Sequence, residues 1–365
     1  MALNTLPNEG LTNRGYPSDR IVTPIIINGD MSVAQRGTST SSATSSGYYA
    51  CDRWDTNING LGTWTISQST DVPSGQGFAN SMKWDCTTAD ASPSATDNLI
   101  IQQHIEGQNL QLLKKGTSSA EAVTYSFWIK SNKTGTYTVQ LRDSDNSRHI
   151  CKQFTISSAD TWEKKILSFA GDTTGAFDDD NAKSLQIDIY LGAGSNFTSG
   201  TLASSWSSYT QANTCPSNVN LADSTSNELY LTGVQLEVGE FDSTSIPSFP
   251  FESFSNNLSK CMRYFQNFRT QAAMIGSCNG TTQAADIAPQ ITVLLRASPT
   301  IACSGGFVAK RGTTADASSN TGASNIYFTE NMNGFSMRVD GFDNLADNAP
   351  LALRAEGTMT IDAEL

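Results

Sequence analysis

The chain has little of what most enzyme and metal chemistries require. Histidine occurs twice in 365 residues, at His104 and His149. The seven cysteines (Cys51, Cys86, Cys151, Cys215, Cys261, Cys278 and Cys303) are scattered and never spaced C-x-x-C. A zinc site or a cysteine nucleophile needs thiolates and imidazoles gathered together, and this pattern argues against both. Scattered thiols, odd in number, are expected to stay reduced and buried, as after synthesis in a reducing cytosol. Basic residues are also short: 23 Lys and Arg face 35 Asp and Glu, giving a net charge of -12. Nucleic-acid binding and docking on anionic lipid both draw on an excess of Lys and Arg, so neither partner is expected. No apolar run approaches a membrane span. Residues 1–10 carry neither the basic nor the apolar part of a signal peptide, so none is expected. There is no G-x-S-x-G elbow, no H-E-x-x-H and no phosphate loop. A fixed internal repeat, the mark of a parallel β-helix, is absent too.

What is present is aromatic and polar. Six Trp, ten Tyr and sixteen Phe supply large buried area and argue for a folded chain. Charged residues make up only 16%, with Ser, Thr, Asn and Gly in their place, which suits strands joined by long polar loops. Tyr125, Phe127 and Ile129 alternate with polar residues, as do Tyr137, Val139 and Leu141, and again Leu185, Ile187, Ile189 and Leu191. Strict alternation puts each set on one side of a pleated strand, the half-buried arrangement of an antiparallel sheet. Roughly eight to ten such strands are expected before residue 250, with a β-sandwich of jelly-roll type as the fold.

The expected order along the chain has four parts. Residues 1–24 hold Pro7, Pro17 and Pro24 and read as an extended arm. Leu6, Leu11, Tyr16 and Ile21 punctuate it as candidates for docking on a partner. Residues 25–250 form the jelly roll, opening with a short strand over 24–27 and a turn at Asn28-Gly29. The Ser/Thr tract 38–46 reads as solvated loop. Residues 251–269 read as an amphipathic linking helix, because Leu258, Cys261, Met262, Phe265 and Phe268 make one apolar stripe. Residues 270–365 read as a small C-terminal β-sandwich, with strands near 291–295, 300–303, 326–328, 335–339, 351–354 and 359–365 and a loop over 315–324.

Two loops of the jelly roll carry candidate sites. Residues 171–182 cluster carboxylates, and Asp178, Asp179 and Asp180 are candidate ligands of a structural Ca²⁺, which takes oxygen donors. The run lacks the Gly and Glu positions of an EF-hand, and a solvated acidic loop is the competing reading. Residues 192–226 place Trp206 and Tyr209 among Ser, Thr and Asn, where a ring can stack on a sugar face while hydroxyls meet polar partners. The competing reading is that Trp206 tucks under its own loop. No catalytic residues are singled out and no cofactor is expected beyond that Ca²⁺.

One set of motifs resembles a known family. Asn28-Gly-Asp-Met31 with Val33, Gln35 and Arg36, Asp52-Arg-Trp54, Ser126-Phe-Trp-Ile-Lys130, Gln235-Leu-Glu-Val-Gly239, Pro250-Phe-Glu252 and Cys261-Met-Arg-Tyr-Phe265 occur in order. Together they resemble bacteriophage tail-fibre or appendage proteins built on a carbohydrate-binding-module-like jelly roll. Phe265 stands where that pattern has a second Tyr, and the insert between Gly239 and Pro250 is longer. The resemblance implies a non-enzymatic virion protein, homotrimeric, joined to other virion proteins through its arm and attaching to a host surface glycan. A capsid decoration or head-fibre protein and a polysaccharide-degrading tailspike are the alternatives.

Overall fold

Alternation in the sequence becomes pairing in the structure, a computed structural model. It describes residues 24–268, 273–278, 283–287, 293–304, 307–311, 314–320, 326–331, 334–340, 350–355 and 358–365. The chain divides into two units, residues 1–253 and 254–365. The arm residues Leu6, Leu11, Tyr16 and Ile21 lie outside the described residues.

The first unit contains β1 (Ser39–Ala43), β2 (Gly47–Tyr48), β3 (Asp55–Asn59), β4 (Thr63–Ser69), β5 (Ser81–Thr88), β6 (Asn98–Glu106) and β7 (Val123–Ser131). It continues with β8 (Gly135–Asp143), β9 (Arg148–Ile156), β10 (Glu163–Phe169), β11 (Lys183–Ala193), the short α1 (Ser195–Thr198), β12 (Ser207–Ser208) and β13 (Glu228–Val238). They make two antiparallel sheets, ordered β1-β4-β5-β13-β7-β10 and β12-β9-β8-β11-β6-β3-β2. This is a jelly-roll type β-sandwich. The core holds the inward sets of both sheets: Trp64, Trp84, Tyr125, Phe127 and Ile129 from one, and Leu99, Ile101, Val139, Leu141, Ile187 and Ile189 from the other.

β13 is not one continuous alternation. Leu229 and Leu231 are buried in the core, and so are Val234, Leu236 and Val238, two sets of opposite parity. A register shift between Thr232 and Gln235 against β7 reconciles them, with Gly233 at φ +62°. The bulge inserts one residue and re-phases the strand, and glycine adopts that backbone without a Cβ penalty. A Cβ at Gly233 would also lie 2.5 Å from Phe78 and 3.0 Å from Trp128.

The bulge is where the N-terminal motif docks. Val234 N donates to Gly29 O at 2.9 Å, and a Cβ on Gly29 would sit 2.1 Å from Val234 O. Asn28, at φ +57°, is buried and fully used. Its Nδ2 donates to Val33 O and Asp52 O, both at 2.9 Å, while its Oδ1 accepts from Val33 N at 3.0 Å. Trp54 Nε1 donates to Asn28 O at 2.9 Å. The Asp52 carboxylate accepts from Gln35 N and Nε2, and Arg53 Nη2 donates to His104 O at 2.6 Å. Two of the motifs that carry the resemblance, the one opening at Asn28 and Asp52-Arg-Trp54, thus converge on one buried knot tying the N-terminal turn to the bulge, because each side chain there satisfies backbone groups that no ladder reaches.

Several expectations are corrected. Residues 24–27 are not a strand: the Gln103 side chain bonds Ile27 N at 2.9 Å and Ile27 O at 3.0 Å, replacing the ladder with one amide. The Ser/Thr tract contains edge strand β1, mostly exposed and paired with β4. Backbone pairing does not require an apolar side chain, so polarity alone misled there. The linking helix is shorter than expected. It spans α2 (Phe254–Met262) and belongs to the second unit, while Phe265–Phe268 is a strand, β14. Phe-Gln-Asn-Phe satisfies a helical stripe by spacing, but its backbone pairs with the chain's C-terminus.

The second unit continues with β15 (Ala273–Cys278), β16 (Gln283–Ile287), β17 (Thr300–Cys303), β18 (Phe307–Arg311) and β19 (Thr314–Asn320). β20 (Ile326–Asn331), β21 (Gly334–Asp340), β22 (Pro350–Ala355) and β23 (Met359–Asp362) complete it. Its antiparallel sheets are ordered β14-β23-β17 and β19-β18-β22-β15-β16-β21-β20. The 315–324 tract read as loop contributes β19. Residues 293–295 form no strand, and the chain there is tied by Arg296, whose guanidinium donates to Ala363 O at 2.8 Å and Glu364 O at 2.9 Å.

Candidate functional site

The outward side of the seven-stranded sheet is set by the strands that fill the core. Since alternate residues of β6, β8, β9 and β11 point inward, the rest are lined up across the sheet by the ladder register. One row runs Asp55, Gln102, Asp188, Gln140 and Cys151 over β3, β6, β11, β8 and β9. The next runs His104, Gln186, Arg142, His149 and Ser207 over β6, β11, β8, β9 and β12. Directly opposite residues of such a ladder have Cβ atoms roughly 4.5–5.5 Å apart, so each row is continuous.

These residues are polar, turned away from the core, and nonetheless mostly buried: Gln102, His104, Gln140, His149, Gln186 and Asp188 all are. Part of the cover comes from the 194–220 segment, where Phe197 and Cys215 pack on Ile100 and Tyr190. Tyr209 closes the other side, its ring 4.1 Å from the Arg142 guanidinium carbon and 5.1 Å, edge-on, from the His149 ring. A polar group under cover must find partners. Asp188 Oδ1 accepts from Gln102 Nε2 and Gln186 Nε2, both at 2.8 Å. Tyr190 OH donates to Gln140 Oε1 at 3.2 Å, and the Gln140 amide meets His149 Nδ1 at 2.8 Å.

Burial sets the charges. It pushes the Asp188 carboxyl up to about 6, against the pull of the two glutamine amides and of the charges on Arg142 and Lys183. Burial, then the nearby Arg142 charge, pulls His149 down to about 4, so the imidazole is neutral at physiological pH. Cys151 Sγ lies 3.8 Å from His149 Nδ1, a pairing that in other settings makes a nucleophile. Here burial drives the thiol far above its ordinary range, with Cys215 and Asp188 adding to it, so no thiolate forms. Cys51, Cys86, Cys151 and Cys215 are free thiols and buried. Of these groups the Tyr209 ring and the Arg142 guanidinium are half-exposed, a ring face and a donor fork of the kind that meets sugars, whereas the amides, the Asp188 carboxylate and the His149 imidazole are buried and bonded to one another.

The two expected loop aromatics part company. Tyr209 stands at this face. Trp206 is half-buried against the core, its Nε1 donating to Ala170 O at 2.7 Å. Its ring, with that of Phe177, receives the Lys115 ammonium at 5.4 and 5.1 Å. The carboxylates of the acidic loop separate likewise. Asp178, Asp179 and Asp180 are exposed, and Asp180 Oδ1 accepts from Ala182 N at 2.9 Å. Among the described residues no three potential ligands are grouped to hold a metal ion. The carboxylate that anchors this loop is Asp172, which with Asp143 is buried around Lys115. Lys115 Nζ lies 2.5 Å from Asp143 Oδ2, 3.1 Å from Asp172 Oδ2, 3.0 Å from Thr174 O and 2.6 Å from Gly175 O. Arg148 clamps Asp172 from the other side at 2.7 and 3.0 Å.

Arg142, His149, Asp188 and the three glutamines were not singled out from the sequence. Their signal was the polar half of the same alternation that located the strands: Gln186 and Asp188 lie between Leu185, Ile187 and Ile189, and Gln140 and Arg142 flank Leu141. Both histidines of the chain also fall in one row or its neighbour, His104 and His149.

The outward side of the six-stranded sheet differs. Trp128 and Trp162 are half-buried there and Tyr230 lies beneath the lysines. Lys130 sits 4.3 Å from the Tyr230 ring centre and pairs with Asp71, which also accepts from Trp162 Nε1 at 3.0 Å. Lys83 pairs with Glu228 at 2.6 Å.

No family model matches the chain, and no curated protein matches it. Solved structures are similar to the first unit at low identity. The enzymatically active domain of tailspike protein 4 of bacteriophage CBA120 is 13% identical over 59% of this chain, with a TM-score of 0.32; the match spans 21% of that protein's length. A family 61 carbohydrate-binding module in complex with β-1,4-galactotriose is 9% identical, with 60% of this chain and 99% of the module covered and a TM-score of 0.29. A family 11 carbohydrate-binding module from Clostridium thermocellum, in complex with a β-1,3-1,4-mixed-linked tetrasaccharide, is 12% identical, with 56% and 98% covered and a TM-score of 0.27.

Proposed function

We propose that the first unit is a glycan-binding module, acting without catalysis, in a phage tail fibre or similar appendage that attaches to a host surface. The observation that carries this reading is the outward side of the seven-stranded sheet. Gln102, Gln140, Gln186 and Asp188 stand there in register beside Arg142, His149 and the ring of Tyr209. Sugars present a ring face and several hydroxyls at once, and the half-exposed Tyr209 ring and Arg142 guanidinium, set beside the buried amides and Asp188, match that pattern. The virion setting rests on the ordered motifs from Asn28 to Phe265. In that setting the arm with Leu6, Leu11, Tyr16 and Ile21 joins other virion proteins. A homotrimer turns weak single contacts into firm attachment through effective concentration.

The test is binding of the purified protein to a glycan array and to host surface polysaccharide, beside Tyr209→Ala. Retention by the wild type and its loss in the variant is the expected result. Silence on every glycan would overturn the reading. Released oligosaccharide would move it to a degrading tailspike. Labelling on the head in electron micrographs of the particle would move it to a decoration or head-fibre protein.

A further inference from the structure

Resting on that reading of the seven-stranded sheet, we propose that the glycan is acidic and that a sugar carboxylate is received by Arg142. The guanidinium sits over the Tyr209 ring, its carbon 4.1 Å from the ring centre. Among the described residues no hydrogen bond or ion pair reaches it, and its Nε is buried without a partner. This is unusual in a chain with 35 carboxylates. The neighbouring row contains two, Asp55 on β3 and Asp188 on β11, and the Asp188 carboxylate is occupied by the Gln102 and Gln186 amides, at 2.8 Å each. Lys83, Lys114, Lys115, Lys130, Lys133, Lys165 and Arg148 each have a carboxylate within reach, whereas among the described residues Lys152, Lys164 and Lys183 share with Arg142 the lack of one. Arg142 is left as an oriented cation with donors to spare.

The surroundings favour an anion in contact. His149, directly opposite Arg142, carries no charge of its own at neutral pH. Lys183 adds a second cation beside the face, its Nζ 3.2 Å from Gln186 Oε1. A planar guanidinium matches a carboxylate through two parallel N–H donors, and a phosphate or sulfate ester can meet the same fork, so a sulfated polymer belongs in the test. The net charge of -12 repels a polyanion at a distance, but charges farther apart than about 8 Å are largely screened at physiological salt, so recognition is confined to contact.

The experiment is affinity electrophoresis of the full chain at physiological ionic strength in gels containing alginate, carboxyl-reduced alginate, dextran sulfate or dextran. Alginate is expected to retard the wild type more than the other three do. Arg142→Gln is expected to weaken retardation by alginate by about tenfold, the scale of one lost charge-assisted pair. Arg142→Lys, which keeps the charge and loses the plane, should fall between. Equal retardation by alginate and its carboxyl-reduced form, or by dextran sulfate, overturns the carboxylate assignment and leaves glycan binding standing. So does an Arg142→Gln protein that melts like the wild type and is retarded as strongly. Should that variant not fold, the carboxyl-reduction comparison on the wild type decides alone. Absence of retardation by all four polymers, together with silence on the glycan array, overturns both readings.

Discussion

The two outward sides of the sandwich handle polarity in opposite ways. On the six-stranded sheet, Lys83 and Lys130 sit beside Tyr230 and answer Glu228, Asp85 and Asp71 near water. Lys83 and Lys130 each have a carboxylate partner, and each pair is exposed enough to be worth little. On the seven-stranded sheet the polar groups are under cover, the carboxylate is held by amides, and the one arginine lacks an anion. Paired surface charge is a solvated face. Buried, ordered polarity has its desolvation cost already met in the free protein, which under the proposed glycan-binding reading leaves less ordering to be done on binding.

That contrast can be broken experimentally. The largest effect is expected at the rim of the seven-stranded sheet, where Lys115 is buried between Asp143 and Asp172. Lys115→Met leaves two buried carboxylates facing each other and should cost about 3–5 kcal/mol, read as a shift in the urea midpoint. A cost near zero would mean the cluster is wetter than its burial implies.

The next effect is in pH dependence. Asp188 binds its proton more tightly folded than unfolded, so its stabilising contribution is full below 3.8 and lost as pH rises through about 6. His149 is harder to protonate folded, so its contribution is full above 6.5 and lost as pH falls through about 4. The two slopes oppose each other over nearly the same window. Each amounts to on the order of 2 kcal/mol. Asp188→Asn should therefore unmask a loss of stability on acidification, and His149→Gln a gain. Parallel slopes in the two variants, from urea midpoints across that window, would show that the pair is not what sets this region's response.

On the six-stranded sheet the expected changes are small. Lys130→Met should stay within about 1 kcal/mol of the wild type, since it removes one exposed ion pair. Trp128→Ala should leave polysaccharide retention unchanged if the other sheet holds the ligand. Loss of retention in that variant, with Tyr209→Ala unaffected, would exchange the roles of the two faces.

Much of the sandwich was legible from alternation. Tyr125, Phe127 and Ile129, and the Leu185 to Leu191 set, are inward as expected, because a pleated strand admits only one alternative face. Legibility failed where pairing did not depend on side-chain polarity, as in β1 and β19, and where spacing fitted two periods, as at Phe265 and Phe268. For the site, Tyr209 was visible as an aromatic on a polar loop, while Arg142, His149 and Asp188 looked like ordinary solvent-side residues. Nothing local tells a covered polar position from a solvated one: the cover on Tyr190 and Ile100 comes from Phe197 and Cys215, far along the chain from Gln140 and Arg142.

The sequence by itself determined the class of the protein: a mainly β chain, acidic, poor in histidine, with inward sets spaced for two sheets. It also determined the turn at Asn28-Gly29, while the knot around Asn28 and the bulge at Gly233 came from the structure. Only the tertiary structure decided which outward side is buried, that Asp188 is held by two glutamines rather than by Arg142, and that Lys115 draws in Asp143 and Asp172. The physical reason is one of range. Alternation and turns act over a few neighbouring residues, whereas desolvation and charge pairing depend on what another part of the chain places overhead.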